Sequence, residues 1–104
     1  MLLRIILLGI LFGWVATPSR AQSDIEKLYK DRCAGCHGAD GKGSPAGEKV
    51  GVRDFHSPDV QKETDEQLTQ VVMKGRNKMP PYEKRIPDKD IKALVAFVRD
   101  LAKK

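Results

Sequence analysis

Cys33-Ala34-Gly35-Cys36-His37 is the stretch on which the reading of this chain turns. A C-x-x-C-H run is the attachment signature of a covalent c-type haem. Two thiols one helical turn apart can each add across one of the two vinyl groups of a porphyrin. The histidine that follows is carried under the ring, where its imidazole reaches iron from the proximal side. Cys33 and Cys36 are therefore the candidate thioether residues, and His37 is the candidate proximal ligand.

Other uses of the same residues fit less well. A disulfide across a two-residue gap closes a tiny loop and constrains little. A thioredoxin-like redox pair wants a βαβ context, and no strand pattern surrounds this motif. A structural zinc site wants four ligands. The supply of Cys and His is Cys33, Cys36, His37 and His56, and adjacent Cys36 and His37 are awkward ligands for one tetrahedral ion.

Upstream, Met1 to Ala21 reads as a secretory signal peptide. Arg4 forms the positive n-region, Ile5 to Ala16 the apolar run, and Ser19 and Ala21 the small residues before a cleavage placed ahead of Gln22. The apolar run is twelve residues long, whereas a membrane span needs about 20. No cysteine stands directly after it, so a lipoprotein-type anchor has no attachment point. The expected organisation is a signal peptide over 1–21 and one domain over 22–104, and the protein is expected to be exported, to a periplasm or its equivalent.

Removing the leader leaves 83 residues and takes Arg4 and Arg20 with it, so 17 Lys and Arg face 14 Asp and Glu, a formal charge of +3. That modest charge on an exported domain argues against a nucleic-acid partner. A domain this short buries a small core and often needs a staple, a metal or a cofactor. The only tryptophan, Trp14, leaves with the leader, so a buried porphyrin would supply much of the missing apolar core. Two cysteines in an exported domain suit covalent haem better than a disulfide framework.

The local signals are helical. Ser23 with Glu26 reads as a capping box opening a helix that carries Ile25, Leu28 and Tyr29 on one face and runs to about Cys33. Gly38 to Pro58 is glycine-rich, holds two prolines and reads as loop. Within it, the Pro45 carbonyl is a candidate acceptor for the second ring nitrogen of His37, and Arg53 is either a haem-propionate partner or a solvated side chain. Thr64 with Gln67 is a second capping box, for a helix that turns Leu68, Val71 and Val72 inward and stops at Gly75. Asp88 is read as the N-cap of a last helix with Ile91, Leu94, Val95, Val98 and Leu101 as its apolar stripe, and Phe97 beside it to pack on the first helix. Between these two helices Met79 sits in a loop held by Pro80 and Pro81. A loop methionine on its own is a surface or gap-filling residue; downstream of a haem motif it is the natural sixth ligand. His56 is the alternative.

Taken together, CAGCHGADGKG after the first helix, GRNKMPPY after the middle helix and a capped C-terminal helix resemble a class I cytochrome c over residues 24–104. The Met-Pro-Pro-Tyr form is similar to small bacterial cytochromes, photosynthetic lumenal carriers and the haem-c domains of bacterial terminal oxidases. The resemblance implies an all-α bundle with crossing first and last helices around one haem c. It also implies thioethers at Cys33 and Cys36, with His37 and Met79 as axial iron ligands. Two protein ligands saturate the iron, whereas catalytic metal sites keep a position open. The implied role is a one-electron carrier between respiratory or photosynthetic redox partners, and not an enzyme. A small haem peroxidase or ligand sensor is the rival if Met79 is off the iron; a zinc-bound or metal-free binding module is the rival if haem is absent.

Charge near Met79 suggests how partners are met. Lys74, Arg76, Lys78, Lys84 and Arg85 lie within twelve residues, opposed in that stretch only by Glu83. The expectation is a positively ringed haem edge that docks on acidic partner surfaces, the alternative being ordinary solvated lysines.

Overall fold

The computed structural model describes residues 20–104, and those residues form six α-helices: α1 Arg20–Arg32, α2 Ala34–His37, α3 Pro45–Lys49, α4 Pro58–Lys62, α5 Asp65–Lys74 and α6 Asp88–Leu101. No strand occurs among them. The only extended pairing there is an isolated bridge between Arg76 and Met79. The expected leader lies outside the described residues apart from its last two, which are helical. No helix among the described residues is long and apolar enough to cross a membrane.

The C-terminal helix is the spine. Its stripe places Ile91, Leu94 and Val95 at 0, 2 and 3 % exposure, with Leu101 also buried, and α6 packs on both α1 and α5. Fully burying such side chains stabilises by about 1.5–3 kcal/mol each. From α1 comes Tyr29, 1 % exposed, whose ring lies 5.0 Å from Phe97 and 6.4 Å from Phe55. The expected contact of Phe97 with the first helix is therefore present. The Tyr29 hydroxyl donates to the Gly38 carbonyl at 2.6 Å, which ties α1 to the far end of the cysteine motif. Tyr82 makes a similar tie, donating to the Arg32 carbonyl at 3.2 Å.

The middle helix obeys its local signals. Thr64 and Gln67 form the reciprocal capping box, and Gly75 ends α5 at φ 76°. At three other places the chain departs from expectation. Helix α1 is already helical at Arg20, so Ser23 is an interior residue, not an N-cap. The preceding turn supplies carbonyls to the N–H groups that Ser23 would otherwise cap, and Glu26 faces Lys30 at 3.6 Å instead. Helix α6 has Pro87 at the N-cap position and Asp88 as its first helical residue. The Pro87 carbonyl accepts from Asp90 and Ile91 at 2.9 and 3.0 Å, while Asp88 and Asp90 sit in the first turn, where the helix dipole favours negative charge.

The third departure lies in the 38–63 region. It is not all loop: Ser44-Pro45 and Ser57-Pro58 each open a single-turn helix, with proline at the first helical position, where its missing N–H costs nothing. Ser44 accepts from the Gly47 N–H at 3.0 Å, and its own hydroxyl donates to the Gly35 carbonyl at 2.6 Å. Helix α3 is thereby docked on the cysteine motif. Gly41, at φ 78°, lets the chain pass Phe55 closely; a Cβ there would lie 2.4 Å from the ring.

Candidate functional site

The end of α1 delivers the motif to a cleft. Cys33 is the N-cap of the one-turn α2, whose closing bonds run from the His37 N–H to the Cys33 carbonyl at 2.9 Å and from Gly38 to Ala34 at 2.8 Å. Cys33, Cys36 and His37 all line the cleft, together with Tyr29. Arg53, Phe55 and Val60 line it from the middle of the chain, Leu68, Val71 and Val72 from α5, and Leu94, Val95 and Val98 from α6. Met79 and Tyr82 come from the segment between those helices. The cleft holds about 220 Å³ of open space. That exceeds a packing defect, since an apolar cavity of about 150 Å³ already admits benzene.

The two cysteines are free, Cys33 half-buried and Cys36 exposed. Burial pushes the Cys33 thiol up to about 11. A reactive or metal-binding thiolate needs the opposite shift, so burial does not activate Cys33 as a nucleophile. The zinc reading fails on geometry: no group of three or more His, Cys, Asp or Glu side chains among the described residues could hold a metal ion.

His37 packs face to face on Phe55, with centroids 4.8 Å apart and planes 29° apart. Burial, aided by the positive charge of Arg53, lowers its pKa below the usual histidine value and favours the neutral imidazole that a metal requires. Its Nδ1 is buried without a hydrogen-bond partner. The expected acceptor, the Pro45 carbonyl, makes no bond to it; Pro45 is the first residue of α3. A neutral imidazole, two free thiols and a thioether around one apolar cleft are a donor set that suits an iron porphyrin.

Met79 is half-buried and held by its bridge to Arg76, with Arg76 N–H to Met79 carbonyl at 3.2 Å and Met79 N–H to Arg76 carbonyl at 2.9 Å. Asn77 makes the turn at φ 54°. Tyr82 and Glu83 then donate to the Val72 and Met73 carbonyls of α5 at 3.0 and 3.1 Å. His56 is elsewhere. It bonds Asp54 at 2.8 Å and faces a different recess, beside Asp40 and Phe97.

Arg53 reaches the cleft, but its guanidinium is engaged by Glu63 in a two-pronged bond of 3.2 and 3.0 Å. Arg76 bonds the same carboxylate at 3.3 Å. These contacts, led by the hydrogen bonds from Arg53, hold the Glu63 carboxyl below the usual range. Sequence reasoning missed Glu63 altogether. It shares no spacing pattern with its partners, which stand ten and thirteen residues away.

The matching family model is described as "Cytochrome C oxidase, cbb3-type, subunit III" and spans residues 20–98. Cytochrome c-555 of Methylococcus capsulatus (strain Bath) is 37 % identical over 74 % of this chain and 63 % of that protein. The cbb3-type cytochrome c oxidase subunit CcoP of Azospirillum brasilense is 33 % identical over 83 % of this chain. The chain spans only 63 and 30 % of the lengths of these two relatives. Among solved structures, the KustC0563 c-type cytochrome superposes with a TM-score of 0.69 at 35 % identity, covering 73 % of this chain and 94 % of that one. A point mutant of the same protein gives 0.69 at 34 % identity, covering 75 and 98 %.

Proposed function

The chain belongs to the class I c-type cytochromes, which bind haem c covalently, and on that premise we propose that it carries single electrons between larger redox proteins. Bound in the cleft, the haem supplies an iron that cycles between ferric and ferrous forms. Cys33 and Cys36 would hold it covalently through thioethers. His37 and Met79 would ligate its iron, and with both in place no position would be left for a substrate. The observation that carries this reading is that the cleft receives His37, both cysteines and Met79 while His56 faces another recess.

The apolar lining from α5 and α6 excludes water, and a low-dielectric surrounding disfavours the extra positive charge of ferric iron. The thioether acts in the same direction. The leader-like sequence of Met1–Ala21 supports export, with cleavage before Gln22.

Absorption and mass spectra of the exported protein test this directly. The expected result is one haem that survives acid–acetone extraction and gives a sharp low-spin pair of visible bands on reduction. Freely extracted haem would overturn the attachment; high-spin bands would overturn the closed coordination.

Partners are expected to present acidic surfaces, with a terminal oxidase as one class. The structure trims the basic patch on which that expectation rests. Lys74 is paired with Glu83 at 2.8 Å, and Arg76 is drawn to Glu63, an acid outside the 74–85 stretch. Lys78, Lys84 and Arg85 have no ion pair among the described residues, and Lys78 borders the cleft. Charge at the redox edge steers encounter and fades as salt rises past a Debye length of about 10 Å at 0.1 M. Lys78→Glu and Lys84→Glu should each slow second-order electron transfer roughly two- to fivefold at low salt. Lys103→Glu, on a residue already beside Asp100, should change it little. A rate indifferent to ionic strength and to these reversals would sink the docking surface and leave the haem site standing.

A further inference from the structure

Glu63 closes α4 and stands just before α5, and two segments of the cleft wall meet on its carboxylate. Arg53 arrives from the middle of the chain and approaches His37 closely enough to act on it electrostatically. Arg76 arrives from the other segment and forms the bridge that holds Met79. The carboxylate that joins them is itself anchored, because the Glu63 carbonyl accepts from the Arg99 guanidinium of α6. Its side chain is only 20 % exposed.

Isolated surface ion pairs contribute little, but a forked arginine–carboxylate bond within a network is the exception. Three features raise this one above an ordinary surface contact. The fork to Arg53 has both prongs at 3.2 Å or less, the second arginine shares an oxygen of that fork, and the residue is fixed from behind by α6. Removing the carboxylate leaves two guanidiniums without their shared counter-charge at the cleft wall. The Met79 segment then keeps its bonds to α5 but loses its tie across the cleft.

We infer that Glu63 is a positioning residue: through Arg53 and Arg76 it braces the Met79 segment against the His37 side and limits how readily an outside ligand displaces the thioether. The consequence for the ligand rests on Met79 being axial. The brace itself does not.

The test uses the ferric holoprotein and Glu63→Gln, with Arg76→Gln as a second variant on an exposed side chain. Hydrogen exchange at the Arg76 and Met79 amides, the two donors of the bridge, should accelerate about tenfold in both variants. Amides of Leu94 and Val95 in α6 should be unchanged. Imidazole, added as the competing ligand, should bind iron about tenfold more tightly in both. The double variant should add little to either single one, since both break the same tie. Unchanged exchange at Met79, or equal acceleration in α6, overturns the brace. If exchange responds but imidazole binding responds neither to these variants nor to Met79→Ala, the brace stands and the axial assignment of Met79 falls.

Discussion

Met79→Ala holoprotein is expected to lose the weak far-red absorption band of a sulfur-to-iron bond, and its reduction potential should fall by on the order of 100 mV. A thioether is a soft, neutral ligand that favours ferrous iron. Water or a nitrogen base in its place favours ferric iron more. Local backbone sets where the side chain sits: Gly75 turns the chain at φ 76°, and the Arg76–Met79 bridge closes around Asn77 at φ 54°. A Cβ on Gly75 would lie 2.6 Å from the Met79 carbonyl, so the turn tolerates no side chain there. Met79→His should keep the iron low-spin while lowering the potential. His56→Ala should leave band and potential as they are, because His56 is bonded to Asp54 away from the cleft. An unchanged spectrum in Met79→Ala would remove Met79 from the iron.

Gly47→Ala should be the most damaging glycine-to-alanine change among the described residues. A Cβ at Gly47 would fall 1.8 Å from the Cys36 carbonyl oxygen and 2.9 Å from the Val52 side chain. The first of these is backbone of the attachment motif, so relief requires lifting α3 off α2. That in turn breaks the Ser44 N–H bond to the Cys36 carbonyl, 2.9 Å, and the Ser44 hydroxyl bond to Gly35. Overpacking at a site that cannot relax costs about 3 kcal/mol or more. For a domain of this size each kcal/mol lowers Tm by roughly 4–8 °C, which implies a fall of about 12 °C or more. Thermal unfolding of the holoprotein reads it, and the yield of attached haem should drop with it. Gly35→Ala is the control. It lies inside the same motif, yet nothing stands within 4 Å of its Cβ. A Gly47→Ala protein as stable as that control would show that α3 does not press on the motif.

The two glycines also mark the limit of what spacing reveals. Gly47 reads as a loop-forming residue in the glycine-rich 38–58 stretch, and Gly35 as one of the two spacers of the C-x-x-C-H run. Only the approach of α3 to α2 separates the one that must stay glycine from the one that need not. The same limit explains Ser44-Pro45 and Ser57-Pro58. Each pair is a sound N-terminal signal, but a helix of five residues leaves too short a periodic run to be told from a turn. Ser23 is the converse case. Its capping pattern is genuine in composition, but in the full chain it falls inside a helix that begins at Arg20.

What the sequence determined by itself was short-range: the C-x-x-C-H motif, the capping box of α5, its terminating glycine and the apolar stripe of α6. Each depends on residues three to seven apart, the distances that helix periodicity and capping span. Tertiary structure decided that Met79 and not His56 faces the cleft, that Pro45 leaves His37 Nδ1 unpaired, and that Arg76 answers to Glu63. Those outcomes turn on where segments eight or more residues apart are brought together, and the spacing of residue types along a chain carries no record of that path.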